Sequence, residues 1–340
     1  MPKRSRTQAA VENTSPSNEA TTAPAGKPGK VINVAYGAVN KAGDAIPVHP
    51  IERPNITLPD NKTLRVAAWN LNGMRSFMEK RGDQIRKIWE NEHLDVLGIN
   101  EHKITDETRA GEIEAAVKKV LQGHDVKLVW NMCSTKKGYS GTLALVRADV
   151  FKRCISVSFG IDKKSDPEGR IITLEFDSVA ILVTYVPNSG MTLDRLAYRT
   201  NTWDKELSDY CDSLAKKKQV IVAGDLNVAI RDMDIWNVDA AHIPKLAGTT
   251  PQERASFDKQ FLKKGFIDAF AYMHPDKTGW FSYWSIKAKN KPKNRGLRLD
   301  YVLVDQKCKL LDAYIACQYT VDGDHCPVGV VCEISDKLNL

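Results

Sequence analysis

The sequence predicts an α/β fold of the α+β kind, in which mixed β-sheets are covered by helices. Three observations predict it. Short apolar runs recur from Leu64 onward, at 65–69, 95–99, 126–130, 142–146, 171–176, 179–185, 219–223, 299–304 and 327–333. Helical patterns lie between only some of them, at 76–91, 111–122, roughly 192–217 and 251–264. The other runs follow one another with turns alone between, so strict βαβ alternation is excluded and mixed sheets are the natural solution.

Residues 1–30 are rich in Ser, Thr, Ala, Pro, Asn and Gly and show no hydrophobic period. Such a segment cannot bury enough apolar surface to offset its ordering, so a disordered basic tail is expected there. Lys3-Arg4-Ser5-Arg6 suggests a nuclear location. Glu12 and Glu19 weaken a mitochondrial transit reading but leave that location open. Gly26 to Lys30 resembles a phosphate loop only superficially, because Pro24 and Val31 stand where its first glycine and its Ser/Thr belong. Residues 31–62 carry Pro47, Pro50, Pro54 and Pro59 and read as an extended lead-in. No Pro/Gly-rich linker divides 63–335 and no short repeat recurs, so 63–340 is expected to be one large domain.

Composition narrows the function class. Of 340 residues 42% are apolar and 27% charged, the balance of a soluble globular chain. No run approaches 18 consecutive apolar residues and no apolar signal core opens the chain, so neither a membrane span nor a secretory signal is expected. Seven cysteines without CxxC spacing argue against a disulfide framework and against a zinc site. The net charge of +7 is compatible with a polyanionic partner without identifying one.

The chemistry is written at the ends of the apolar runs. The first leads into Asn70, the second into Asn100-Glu101, and the run ending at Thr184 into Tyr185, with Asn188 three residues on. The run through Ala223-Gly224 leads into Asp225-Leu226-Asn227; Asp300 lies at the start of its run, and Asp324-His325 precedes the last. Buried strands that end in carboxylates and amides deliver them to one rim of a sheet, where such sheets bind ligands. Glu101, Asp225, Asp300 and Asp324, with amides, one histidine and no cysteine, suit a hard oxygen-liganded ion, Mg²⁺ or Mn²⁺, rather than Zn²⁺. Asparagine amides beside them suit phosphate oxygens.

Six segments occur in order: Asn70-Leu71-Asn72-Gly73-Met74-Arg75, Gly138-Tyr139-Ser140-Gly141, Tyr185-Val186-Pro187-Asn188, Gly224-Asp225-Leu226-Asn227-Val228-Ala229, Arg298-Leu299-Asp300-Tyr301 and Asp324-His325-Cys326-Pro327. Together, over about residues 64–335, they resemble the exonuclease III-type AP (apurinic/apyrimidinic) endonucleases of the endonuclease/exonuclease/phosphatase superfamily. The resemblance implies a four-layered sandwich of two mixed β-sheets flanked by helices, with the active site at one edge between the sheets. It implies a metal centred on Glu101, drawn from Asn70, Glu101, Asp225, Asn227, Asp324 and His325, with Asp300 or Asp324 assisting according to where the ion sits. It implies Asp225 as the base that deprotonates water, and Asn227 and Asn188 as phosphate binders. His325, oriented by Asp300, would stabilise charge on the phosphate, and Tyr185 would assist the phosphate or the leaving 3′ oxygen. Arg75, Lys80, Arg170 and Arg199 stand near matched motifs as candidate contacts to backbone phosphates.

The chain departs from the family pattern at three places. Asn100-Glu101-His102 replaces Gln-Glu-Thr, Gly323 replaces a serine, and Leu297 replaces a tryptophan that walls the pocket for a baseless sugar. Tyr283, Trp284 and Leu299 are left to line it. The implied function is Mg²⁺-dependent hydrolysis of DNA 5′ to abasic sites in base excision repair, with abasic duplex DNA, and by extension RNA, as partner of a monomer. The alternative is a 3′–5′ exonuclease or 3′-end-cleaning phosphodiesterase on DNA or RNA. A catalytically silent nucleic-acid-binding protein would be expected to lack Glu101, Asp225 or His325, and all three are present.

Overall fold

The computed structural model describes residues 51–58, 62–320 and 323–334, with the backbone of three two-residue strands ahead of them. The expected tail at 1–30 lies outside the described residues. The short strands are β1 (Ile32–Asn33), β2 (Ala38–Val39), β3 (Ala45–Ile46) and β4 (Ile51–Glu52). The body is built from β5 (Thr63–Asn70), β6 (Val96–Asn100), β7 (Val126–Asn131), β8 (Thr142–Arg147), β9 (Ser156–Phe159), β10 (Ile171–Glu175), β11 (Val179–Tyr185), β12 (Gln219–Asp225), β13 (Ile267–Asp268), β14 (Asp300–Val304), β15 (Lys309–Ile315) and β16 (Val328–Glu333). Its helices are α1 (Met74–Arg81), α2 (Asp83–Asn91), α3 (Glu107–Val120), α4 (Ala148–Phe151), α5 (Leu196–Tyr198), α6 (Asp204–Ala215), α7 (Pro251–Gln260) and α8 (Ala269–Met273).

Two six-stranded sheets result, ordered β15-β16-β5-β6-β8-β7 and β13-β14-β12-β11-β10-β9. Each has one parallel pair near its centre, β5 with β6 and β11 with β12. Alternation along the strands sorts side chains into layers. Val66, Ala68, Val96, Ile181, Val183, Ile221 and Ala223 meet between the sheets. Ala67, Trp69, Leu97 and Ile99 point the other way, onto Ile85, Ile88 and Val117 of α2 and α3. Leu182, Val220, Val222 and Leu303 pack outward onto Leu207 and Cys211 of α6 and Phe257 of α7. The expected four layers are therefore present. Gly98 of β6 sets how closely the sheets approach, since a Cβ there would lie 2.8 Å from Val183 Cγ1.

The differences from expectation have local causes. The expected helix 76–91 is two helices broken at Gly82. The expected helix 192–217 starts at Leu196 and contains a π-helical turn at 199–203, where Arg199 turns inward. Helix α7 starts cleanly because Thr250 and Glu253 form a reciprocal capping box ahead of Pro251. Strand β15 interrupts its apolar pattern with Asp312, which is buried because it has a partner: Arg53 Nε donates to Asp312 Oδ2 at 2.7 Å. The same guanidinium donates to Glu92 Oε2 at 2.6 Å and lies 4.1 Å from the Tyr314 ring centre. Ile51 is also buried in the inter-sheet core, so residues ahead of the expected boundary at 63 pack onto the domain.

Removing one partner of a buried ion cluster leaves the others uncompensated. Arg53→Ala is expected to destabilise the fold by about 3–5 kcal/mol, read by urea denaturation. Arg53→Ala with Asp312→Asn should lose less than Arg53→Ala alone, and an unchanged midpoint in Arg53→Ala would mean that this staple holds nothing.

Candidate active site

Strand register brings the polar strand ends together. Asn70 pairs with Asn100 across β5 and β6, Tyr185 with Asp225 across β11 and β12, and Asp225 with Asp300 across β12 and β14. Because β16 runs antiparallel beside β5, His325 arrives at the same rim. Its carbonyl is fixed by Trp69 Nε1 at 3.2 Å and Thr320 Oγ1 at 3.0 Å. The two sheets are joined here by side chains: Asn70 Nδ2 donates to Glu101 Oε1 at 3.0 Å and Asp225 Oδ2 at 2.9 Å, and Asn100 Oδ1 accepts from Asp225 N at 2.8 Å.

Around this bridge the remaining groups are individually placed. Tyr185 OH donates to Glu101 Oε1 at 2.7 Å, and Lys103 Nζ lies 3.0 Å from Glu101 Oε2. His325 Nδ1 is 2.7 Å from Asp300 Oδ2, and its Nε2 faces Asp225 Oδ2 at 3.9 Å. Asn188 Nδ2 donates to Asn227 Oδ1 and Asn227 Nδ2 to Val186 O, each at 2.9 Å, so each amide keeps one free N–H. Asp324 stands at the rim, accepting from Asn72 Nδ2 at 2.8 Å. Glu101 and Asn227 both hold positive φ, 53° and 49°, strain that non-glycine residues adopt where surrounding contacts enforce it.

Burial and mutual repulsion set the charges. Burial, then the Asp300 charge, pushes the Asp225 carboxyl up to about 7. Burial alone would lower His325, but Asp300, with help from Asp225 and Asp324, outweighs it and raises the imidazole to about 10. Burial would raise Glu101, yet Lys103, Asn70 and Tyr185 together hold it below the ordinary glutamate value. Burial and the Glu101 charge keep the Tyr185 phenol protonated.

Asn70, Glu101, Tyr185, Asp225, Asn227, Asp300, Asp324 and His325 thus converge. His325 holds Asp300 through Nδ1, and ligand atoms of His325, Asp225 and Asp300, one from each, lie within 4.8 Å of one another, a grouping that could hold a metal ion. Three expected substrate contacts are corrected. Arg170 is buried and donates to Tyr185 O, Tyr139 OH and Glu168 Oε2 at 3.0, 2.9 and 2.5 Å, so its fork holds Tyr185 from behind. Arg199 is likewise buried, donating to Asn227 O at 2.6 Å and Leu226 O at 2.5 Å, and fixes the strained Asn227 turn. Trp284 is core, its Nε1 donating to Asn294 Oδ1 at 2.9 Å. Arg75 and Lys80 are exposed on α1, with Arg75 paired to Glu79, and neither lines the cavity described next. His102, one of the departures, is buried and neutral, pushed down to about 4 by desolvation. It bridges Asn131 O and Ile104 N, and a Cβ on Gly141 would fall 2.4 Å from its Nε2.

A cavity of about 700 Å³ opens from this cluster, with Glu101, Tyr185, Asn188, Asp225, Asn227 and His325 on one side. Tyr283, Leu297 and Leu299 line its other side as expected, joined by Trp236, Ile243 and Leu246, which were not. These lie within 231–248, where no period marks a buried face. The rim includes Ser285, Ala288, Asn290 and Arg295 of a loop whose residues 287–295 hold five basic and no acidic side chains, a signal legible by counting charge.

The model of the Endonuclease/Exonuclease/phosphatase family matches residues 67–322. The chain belongs to this family. An exodeoxyribonuclease of Bacillus subtilis (strain 168) is 36% identical over 80% of this chain and 100% of its own length. A DNA-(apurinic or apyrimidinic site) endonuclease of Dictyostelium discoideum is 32% identical over 86% of this chain and 76% of its own. The crystal structure of AP endonuclease LMAP from Leishmania major superposes with a TM-score of 0.76 at 28% identity, covering 85% of this chain and 93% of that one.

Metal dependence goes with the family, and the donor set fits a hard cation. Glu101 and Asp225 present oxygens to one shared amide, Asp300 Oδ1 is buried without a hydrogen-bond partner, and Asp225 is raised by negative charge that a cation would relieve.

The imidazole's raised pKa has a testable cause. Folded-state stability from the His325 proton is complete below the ordinary histidine value of 6.5 and is lost as pH rises through about 10. Asp300→Asn should therefore lower the His325 pKa in imidazole NMR titration of the metal-free protein and flatten that pH dependence of the melting temperature. An unshifted resonance would mean that Asp300 is not the partner that holds the proton.

Proposed function

We propose that this chain is a Mg²⁺-dependent phosphodiester hydrolase that cuts duplex DNA on the 5′ side of abasic sites, leaving a 3′-hydroxyl and a 5′-deoxyribose phosphate, as a step of base excision repair. The observation that carries it is the Asp225–His325–Asp300 cluster beside Glu101, facing two half-free asparagine amides on the wall of a cavity with an apolar far side. The names of the relatives, a DNA-(apurinic or apyrimidinic site) endonuclease among them, support it.

In-line attack on a phosphodiester needs an oxygen nucleophile, donors for the developing charge and a fixed geometry. Asp225, buried at the end of its strand with His325 Nε2 3.9 Å from its Oδ2, is the carboxylate placed to take a proton from the attacking water. The free N–H groups of Asn188 and Asn227 hold the phosphate oxygens. His325 donates from Nε2 to the phosphate while Asp300 fixes Nδ1. Tyr185, a protonated phenol, positions Glu101 and stands beside the leaving oxygen. Glu101 and Asp225, with Asn70 between them and Asp324 at the rim, would hold Mg²⁺. The bound ion supplies Lewis-acid stabilisation of phosphate charge. RNA cleavage and a monomeric state belong to the same proposal. The second reading, 3′-end trimming, is favoured by Leu297, an aliphatic side chain on the cavity wall.

Incubation of the purified protein with an abasic-analogue duplex, with Mg²⁺ or with EDTA, tests the function directly: cleavage 5′ to the analogue only with Mg²⁺ is expected, and none in either sinks it. Glu101→Ala, Asp225→Asn and His325→Ala should each lower kcat by about 10²-fold or more while duplex binding survives. A loss under about tenfold at saturating Mg²⁺ removes that residue from the mechanism.

Lys287, Lys289 and Lys293 are exposed and unpaired among the described residues. If they meet phosphates, changing all three to Gln should reduce the slope of log Kd against log salt by about 0.9 for each phosphate that is no longer neutralised. An unchanged slope would place the duplex elsewhere.

A further inference from the structure

We propose, resting on the hydrolase function above, that Trp236 is a stacking platform for a nucleobase, so that the cavity takes a 3′-terminal nucleotide with its base as well as a baseless sugar. The wall at Leu297 is aliphatic: Leu297 is buried in one cluster with Ile235, Ile243 and Leu299. Tyr283, paired with Leu297, sets its ring 4.9 Å from that of His325, and a second aromatic surface comes from a different segment. Trp236 is half-buried and lines the same cavity as Asp225 and His325.

Its placement is fixed from both sides. Trp236 N donates to Gly296 O at 3.1 Å, and the neighbouring Ile235 pairs with Leu297. Two residues earlier, Asp234 accepts from the buried Arg298 at 2.9 and 2.8 Å, and Arg298 also holds Asp268. The segment carrying the indole is thereby tied to the strand that delivers Asp300. The Arg295 guanidinium lies 4.9 Å from the indole ring centre, a cation over the aromatic system.

The rest of the cavity suits a base better than a bare sugar. Asn237, His242 and Asn290 line it with Trp236, offering donors and acceptors that a base edge satisfies. At about 700 Å³ it falls in the range that encloses a whole drug-sized molecule, more than one sugar ring. Stacking is tolerant of base identity because every base has a π-face, so the substrate is a class and not a sequence. The bond chemistry is unchanged: water adds to phosphorus, the 3′ oxygen of the preceding nucleotide leaves with a proton, and a nucleoside 5′-monophosphate is released.

The test compares kcat/KM for removal of an ordinary recessed 3′ nucleotide with kcat/KM for cleavage at an abasic analogue. Trp236→Leu keeps an apolar side chain and removes only the aromatic face; Trp236→Phe restores one. The ratio of 3′-nucleotide removal to abasic cleavage should fall about tenfold in Trp236→Leu and recover in Trp236→Phe. A native-melting Trp236→Leu with an unchanged ratio overturns the proposal, as does wild-type protein that cleaves the abasic duplex and removes no 3′ nucleotide. Wild-type protein that trims 3′ nucleotides but spares the abasic duplex overturns the abasic-site function and leaves the platform standing.

Discussion

Asp225 and Asp300 face each other on paired positions of adjacent strands, both buried, and the negative charge confined there is the constraint around which the site is organised. Two ionised carboxylates in a dry site repel each other unless a proton or a cation intervenes. Here the intervening group is His325, held against Asp300 and facing Asp225. The cost of burial is met by making the imidazole a cation and by leaving Asp225 within reach of a proton near neutral pH. Asn70 and Asn100 add neutral dipoles from the other sheet, which couples the two sheets where the chemistry is proposed.

A second layer of support comes from three buried arginines. Arg170 braces the end of β11, Arg199 the turn after β12, and Arg298 the start of β14, each through backbone carbonyls or paired carboxylates. A guanidinium suits this work because its donors are planar, fixed and always charged. The positive φ at Asn227 persists because Arg199 takes up the carbonyls on both sides of that residue's nitrogen.

Much of this was legible in the sequence because period and strand-end chemistry coincide. Buried β-branched runs that terminate in Asn70, Glu101, Tyr185 and Asp225 announce both a strand and a rim, and register then brings the four together. Direction was not legible. Arg75 and Arg170 both stand near motifs, yet one is exposed and the other enclosed, which depends on neighbours far along the chain such as Tyr139 and Glu168. Strand β15 was hidden because Asp312 breaks its pattern, and its partner Arg53 lies 259 residues away. Trp236 sits in a stretch with neither helical nor strand period, so only the folded chain places it in the cavity.

Asp225 and His325, with Asp300 holding the imidazole from its far side, are proposed to act as one unit on one phosphate. Groups that work as a unit give losses that do not multiply. Single-turnover cleavage of an abasic duplex with saturating Mg²⁺ should be compared for the wild type, Asp225→Asn, His325→Ala and the double variant. The double variant is expected to be no slower than about the slower single. Losses that multiply in the double variant would contradict the account, showing two independent contributions where the structure places one coupled cluster.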